Sequence, residues 1–133
     1  MENKIYTVTK QEWNERKKVG FGDGSLMIKI NGKKINIWEE YAEHIETEMK
    51  FPTSCKNSYD VYLDWIQDLS WLGSIEDIYI VIDNYNYFMK KDEDLKKQII
   101  TDFEDIILPW WGKEVVECVM EGKAKKFNVY LII

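Results

Sequence analysis

Three stretches of the chain carry the hydrophobic pattern of β-strands. Residues 26–30 (LMIKI) precede an Asn-Gly turn, residues 78–83 (IYIVID) form an almost continuous apolar run, and residues 129–133 (VYLII) form another. A continuous apolar run of this length is typical of a strand that is buried on both faces of a parallel sheet. The pattern therefore predicts three strands, of which the middle one is covered on both sides.

Apolar residues at spacings of three and four mark helices between these strands. The pattern predicts four helices, at about residues 37–51, 58–72, 93–108 and 113–123. Asn36 is placed to cap the first helix, and Pro109 is placed to close the third. The fourth is expected to bury Val116, Val119 and Met120. Strands that alternate with helices favour parallel pairing through right-handed crossovers, so the predicted fold is α/β, a three-stranded parallel sheet packed by about four helices.

Residues 1–25 are interpreted as an extension that precedes a domain of residues 26–133. Alternation over residues 5–9 predicts a short strand, and residues 11–18 predict a turn or two of helix. The glycine-rich stretch 20–24 then predicts a turn or a flexible joint. The extension can therefore add an edge strand to the sheet.

Composition narrows the class of partner. The 133 residues contain 18 Lys and Arg against 24 Asp and Glu, a net charge of −6. This charge argues against nucleic acid or an anionic membrane surface as partner, because phosphate would be repelled, and it permits a basic protein. The single histidine, His44, rules out a histidine-rich metal site, and no cofactor is implied. With no apolar leader and only Cys55 and Cys118 as cysteines, the chain is expected to be a reduced cytoplasmic protein.

The second predicted helix carries a row of acids. Asp60, Asp64 and Asp68 follow one another at intervals of four, so they share one face, opposite the apolar side. Like charges at this spacing repel and destabilise a helix by about a few tenths of a kcal/mol. A fold does not need such a row, whereas a partner with clustered arginine and lysine would convert repulsion into attraction. Exposed acids are also common without any function, so the row alone leaves both interpretations open.

Several segments follow one another in the order of a known family: the strand and turn Ile30-Asn31-Gly32 with Ile35, the step Phe51-Pro52, the stretch Tyr59 to Asp64, residues 115–124 and residues 129–133. Together they resemble the barstar family of intracellular inhibitors of bacterial ribonucleases. The resemblance spans roughly residues 26–133. It implies the same α/β architecture and a stoichiometric inhibitor that plugs a basic active site, with its carboxylates in the positions of RNA phosphates.

The resemblance also implies which residues bind the partner. Asp64 corresponds to the family's central anchor, Asp60 to its neighbour and Glu121, near the end of the fourth predicted helix, to its third important acid. Trp71 or Leu69 corresponds to an interface tryptophan. The partner-binding residues are therefore expected to be Asp60, Asp64, Glu121, Asp68 and Trp71.

Two alternatives remain open. Lys56 precedes the second helix, and Lys125 stands where the family has an acid, so an immunity protein against a toxin other than a ribonuclease could use the same scaffold. A small enzyme is the third interpretation. However, Asp60 and Asp64 are neighbours on one convex helix and cannot straddle a bond as the carboxylates of a glycosidase do, so no catalytic residue is predicted. The expected partner is a basic ribonuclease or toxin, and the free protein is expected to be a monomer.

Overall fold

The computed structural model describes residues 2–133 and contains one four-stranded parallel sheet. Its strands are β1 (Ile5–Val8), β2 (Leu26–Asn31), β3 (Asp77–Asp83) and β4 (Lys126–Ile132). They lie in the order β1-β4-β3-β2, and every neighbouring pair is parallel. The α/β class and the parallel sheet are thus confirmed. The prediction of three strands is wrong by one, because the expected edge strand from the N-terminal segment pairs with β4.

The helices are α1 (Lys10–Val19), α2 (Trp38–Glu48), α3 (Tyr59–Ile66), α4 (Glu93–Asp102) and α5 (Val115–Cys118). Two π-helical segments, Phe103–Ile107 and Trp110–Glu114, link α4 to α5, so residues 93–118 are helical without a break. The two helices predicted here are therefore one, and Pro109 does not close a helix. Proline lacks an N–H and clashes with the preceding turn of an α-helix, and the π turns on either side relieve this conflict.

The direction of the crossovers decides which helices cover which face. From β2 through β3 to β4 the chain crosses the sheet in one direction, whereas from β1 to β2 it crosses in the opposite direction. Parallel crossovers are almost always right-handed, so the two directions place their helices on opposite faces. Helix α1 consequently covers one face, and helices α2 to α5 cover the other.

The larger core lies between the sheet and α2 to α5. Residues 78–82 of β3 are all buried, as the apolar run predicted, and they alternate between the two faces. Ile80 contacts the larger core, while Tyr79 belongs to the smaller one. The fully buried side chains of the larger core include Tyr41, Ile45, Tyr62, Ile66, Phe88, Ile99, Phe103 and Phe127.

The smaller core is aromatic and is covered by the N-terminal segment. Trp13 of α1 is only 3% exposed, and its ring centroid lies 5.1 Å from that of Tyr130. Tyr6 of β1 stacks on Tyr130 at 4.9 Å, and Phe21 meets the edge of Tyr79 at 4.6 Å. The segment therefore packs on the sheet as part of one body, while the division into a 1–25 extension and a 26–133 domain stays a prediction.

The predicted cap of the first helix and the predicted end of the second are wrong. Asn36 does not cap α2; the N-cap is Ile37, and the Glu40 carboxylate accepts hydrogen bonds from the backbone N–H groups of Asn36 (2.8 Å) and Ile37 (3.3 Å). Helix α3 ends at Ile66 instead of near residue 72. Leu69, three residues later, has a left-handed backbone with φ of 52°, which a right-handed helix cannot contain.

Among the helices of residues 2–133, none combines the length and the apolar character that crossing a membrane requires.

Candidate functional site

The inward face of α3 is tied to the body of the protein. Ser58 is the N-cap, and its Oγ accepts a hydrogen bond from the backbone N–H of Val61 at 3.2 Å. The hydroxyl of Tyr59 donates to Oδ2 of buried Asp102 at 2.6 Å, and the Tyr62 and Tyr41 hydroxyls hydrogen-bond at 2.7 Å. These contacts fix the rotation of α3, and with it the direction of the outward face.

The last turn of α3 is held by two tryptophans from the π-helical segment. The indole N–H of Trp111 donates to the carbonyl of Ile66 at 2.8 Å, and that of Trp110 donates to the carbonyl of Gln67 at 2.7 Å. The last carbonyls of a helix have no partner within the helix. The tryptophans therefore cap α3 and set its end through a contact that is remote in sequence.

Asp60 and Asp64 lie on the outward face of α3 and are both exposed. Lys56, the nearest cation in sequence, pairs instead with Glu43, with Nζ and Oε1 3.4 Å apart. Within residues 2–133 the other ion pairs are also elsewhere: Lys10–Asp83, Lys18–Glu15 and Lys113–Glu117. Both carboxylates are thus free of the protein's own lysines and project to solvent.

Asp68 does not continue the helical row. It follows the end of α3, and its Oδ1 accepts a hydrogen bond from the backbone N–H of Ser70 at 3.1 Å. The prediction of three acids on one helix is wrong for this residue. Asp68 is still exposed, but it belongs to the turn that leads out of α3.

Glu121 is also outside a helix. Helix α5 ends at Cys118, Val119 is extended, and Glu121 has a left-handed backbone with φ of 59°. Gly122 follows where only glycine fits, because a Cβ there would lie 2.3 Å from the carbonyl oxygen of Val115. The fourth predicted helix therefore stops early, and Glu121 lies exposed in a tight turn.

A groove of about 460 Å³ separates Asp68 from Glu121. The turn after α3 lines one side, and the segment between α5 and β4 lines the other, with Leu69 and Trp111 buried between them. Lys125 also lines the groove, but its Nζ donates to the carbonyl of Ile75 at 2.5 Å. Burial lowers the pKa of the Lys125 ammonium group, partly offset by Glu76. The structure thus brings two predicted acids to one groove, beside the α3 face.

Trp71, in the turn after α3, contacts the end of α2 and the side of α3 instead of the groove. It is partly buried, its indole N–H donates to the carbonyl of Met49 at 2.8 Å, and its ring meets the edges of Trp65 and Phe51 at 5.4 and 5.9 Å. It does not line the groove between Asp68 and Glu121. Its indole N–H is therefore already used within the protein.

Sequence periodicity missed the exposed apolar residues next to Glu121. Val116, Val119 and Met120 were expected to be buried, but they are 55%, 45% and 93% exposed. For Val119 and Met120 the prediction failed because the helix ends at Cys118, so that a spacing of three or four no longer keeps residues on one face. Val116 lies within α5, but the buried position of that helix is Val115. Gly122, a common residue just after a helix end, was the available signal.

The fold and the site define a class of small parallel α/β proteins that hold unpaired carboxylates rigidly on one helix face. The family model described as Barstar (barnase inhibitor) matches residues 26–131, most of the chain. The protein therefore belongs to the barstar family, which confirms the resemblance. No curated protein and no solved structure gives a significant match. The family match begins at Leu26, so β1 and α1 lie outside it.

Proposed function

We propose that the protein is a stoichiometric inhibitor of a bacterial ribonuclease and that it blocks the enzyme's basic active site with the acidic face of α3. Membership of the barstar family supports the class of activity. The observation that carries the proposal is the exposure of Asp60 and Asp64, neither of which pairs with a lysine or arginine among residues 2–133. A ribonuclease binds RNA phosphates through cationic side chains. These two carboxylates carry negative charge, as the phosphates do, and can therefore occupy such a site.

The anchoring of α3 favours tight binding. Its inward face is held by the Tyr59 and Tyr62 hydroxyls, and its end by the indoles of Trp110 and Trp111. A helix that is already ordered loses little conformational entropy when a partner binds, so more of the interaction energy appears as affinity. In this proposal Asp64 is the central anchor, with Asp60 beside it.

Asp68, Glu121 and Trp71 are the proposed flanking contacts. Asp68 and Glu121 border the groove next to α3, so they add negative charge beyond the helix. Trp71 contributes an indole ring that is partly exposed and held in place by its N–H contact. The proposal assigns no catalytic residue. It places the protein in the cytoplasm and expects it to be a monomer in the absence of the target.

The test is capture of purified microbial ribonucleases by the wild-type protein and by Asp64→Ala. We expect the wild type to bind a basic ribonuclease and to inhibit it at a ratio of one to one. The substitution should weaken binding by about 2–5 kcal/mol, because it leaves a cationic site on the enzyme unpaired; the barnase–barstar pair is itself a standard case of such coupling.

Glu104→Ala is a matched control. Glu104 is exposed on the helical run after α4, beside β1, and its loss changes the net charge by the same amount. If Asp64→Ala and Glu104→Ala bind the enzyme equally well, Asp64 has no part in inhibition.

An immunity protein against a toxin other than a ribonuclease is the second candidate. Lys125, where the family has an acid, favours it, because its cation lines the groove next to Glu121. The same capture experiment with a panel of basic toxins separates the two. Binding of such a toxin, with no ribonuclease bound, would select this candidate.

A further inference from the structure

Six consecutive residues, 116–121, are exposed where α5 gives way to the turn before β4. Three of them are large and apolar, namely Val116, Val119 and Met120, with exposed fractions of 55%, 45% and 93%. Single apolar residues on a surface are ordinary, whereas neighbouring ones mark interaction sites. This apolar cluster borders the groove between Asp68 and Glu121, because Val119 and Glu121 both line that groove.

The backbone holds the apolar cluster on the outside. The N–H of Val119 donates to the carbonyl of Val115 at 3.1 Å, and the N–H of Gly122 donates to the carbonyl of Val119 at 2.9 Å. The N–H of Lys125 donates to the carbonyl of Trp111 at 2.9 Å. Gly122 packs so closely on Val115 that no side chain fits between them. The cluster is therefore a preformed surface, which lowers the entropy lost on binding.

Two acidic residues lie within and directly after the apolar cluster. Glu117 lies within it and pairs with Lys113 at 3.7 Å. Glu121 follows Met120 directly, and in the part of the chain that the structure describes it forms no ion pair. An apolar centre with a charged rim is the usual anatomy of a protein interface. Two lysines line the same groove, so the rim is mixed in charge. The exposed carboxylate of Glu121 favours a partner whose apolar contact is bordered by arginine or lysine.

We propose that Val116, Val119 and Met120 are the apolar part of the target-binding surface and contact the same basic protein as α3. The inference rests on the proposed function and adds to it a second kind of contact. The partner carries an apolar side chain beside a cationic one, so that the first covers the cluster while the second meets Glu121. Binding then has a component that salt does not screen, because apolar burial, unlike charge attraction, persists at high ionic strength.

The test compares the double variant Val116→Ser/Met120→Gln with Val19→Ser in binding to the ribonuclease that the wild type captures. Val19 is 83% exposed on α1 and serves as the matched control. We expect the double variant to bind on the order of ten-fold more weakly at both low and high salt, through faster dissociation. The control should bind like the wild type. Asp64→Ala should instead make the affinity less dependent on salt.

Each other outcome has a definite meaning. If the double variant binds as tightly as Val19→Ser while Asp64→Ala binds weakly, the apolar cluster is not part of the interface, although the inhibitor proposal stands. A wild-type dimer in sedimentation velocity that the double variant dissolves would assign the cluster to a second copy of this chain and overturn the inference. A wild type that binds no ribonuclease overturns the proposed function itself, and the inference with it. Equal thermal unfolding of all the variants establishes that each one is folded.

Discussion

At the scale of single residues, Gly32 lies at a point where the chain has no room for a side chain. It begins the turn after β2, and a Cβ there would lie 2.3 Å from the carbonyl oxygen of Asn84 and 2.8 Å from that of Asp83. Its φ is not in the left-handed region, so what the site requires is space. The turn after β2 therefore packs directly on the chain that leaves β3.

We predict that Gly32→Ala destabilises the protein by about 1–3 kcal/mol, because overpacking against backbone atoms forces the two turns apart. Urea unfolding measures the change. Gly22→Ala is the matched control, since a Cβ at that glycine would meet only Asp77 Oδ2, at an ordinary 3.6 Å. Equal unfolding midpoints for the two variants would show that the turn yields easily.

At the scale of elements, β1 and α1 protect two vulnerable surfaces. Strand β1 pairs with β4 and covers an edge that would otherwise offer free backbone groups to another chain. Helix α1 places Trp13 against Tyr130, and Phe21, just after α1, meets the edge of Tyr79. These residues belong to the smaller core, which the remaining helices do not cover. The family match starts after these elements, so this chain adds them to the part that the family model describes.

We predict that a chain beginning at Ser25 loses stability and self-associates, because the β4 edge and the aromatic face both become exposed. The full-length variant Trp13→Ala separates the two effects: it keeps β1 in place and should destabilise the fold by about 3–5 kcal/mol without association. Urea unfolding and size-exclusion chromatography measure these outcomes. A shortened chain that stays monomeric with an unchanged unfolding midpoint would contradict the prediction.

At the scale of the whole molecule, buried tyrosine hydroxyls and a buried thiol make the free energy of unfolding depend on pH. Burial raises the pKa of the Tyr41 and Tyr62 hydroxyls well above 10, and burial with the Asp102 contact does the same for Tyr59. Burial and the neighbouring Glu46 raise the pKa of the Cys55 thiol from 9.0 to about 12. The unfolded chain therefore releases these protons at lower pH than the folded chain, so stability falls as pH rises.

We predict a free energy of unfolding that decreases once the pH exceeds about 9, where the unfolded thiol begins to ionise, and decreases more steeply above about 10 as the tyrosines follow. Urea unfolding across this range measures the slope. Tyr41→Phe should make the decrease shallower, whereas Tyr87→Phe, at a tyrosine that is 46% exposed, should not. Identical slopes for the two variants would exclude Tyr41 as a source of the dependence.

The sequence alone determined the strands of residues 26–133 and the inward face of α3. In β2, β3 and β4 every apolar residue is buried or partly buried, because the environment of a strand residue depends on its own side chain and the face it lies on. The apolar pattern of the sequence therefore predicts these strands directly. The exposure of Asp60 and Asp64 followed in the same way, since they lie opposite the apolar side of α3. The roles of these acids in binding stay predictions, because a row of charges does not identify its partner.

Only the tertiary structure decided where the helices end and where the remaining candidate residues lie. The indole N–H groups of Trp110 and Trp111 bind the last carbonyls of α3 where the helix ends, and Asp68 lies in the turn that follows. The close approach of Gly122 to Val115 ends α5, which places Glu121 across a groove from Asp68 and turns Met120 outward. Periodicity reports on neighbours three or four residues away, whereas these boundaries depend on contacts that form only once distant segments pack together.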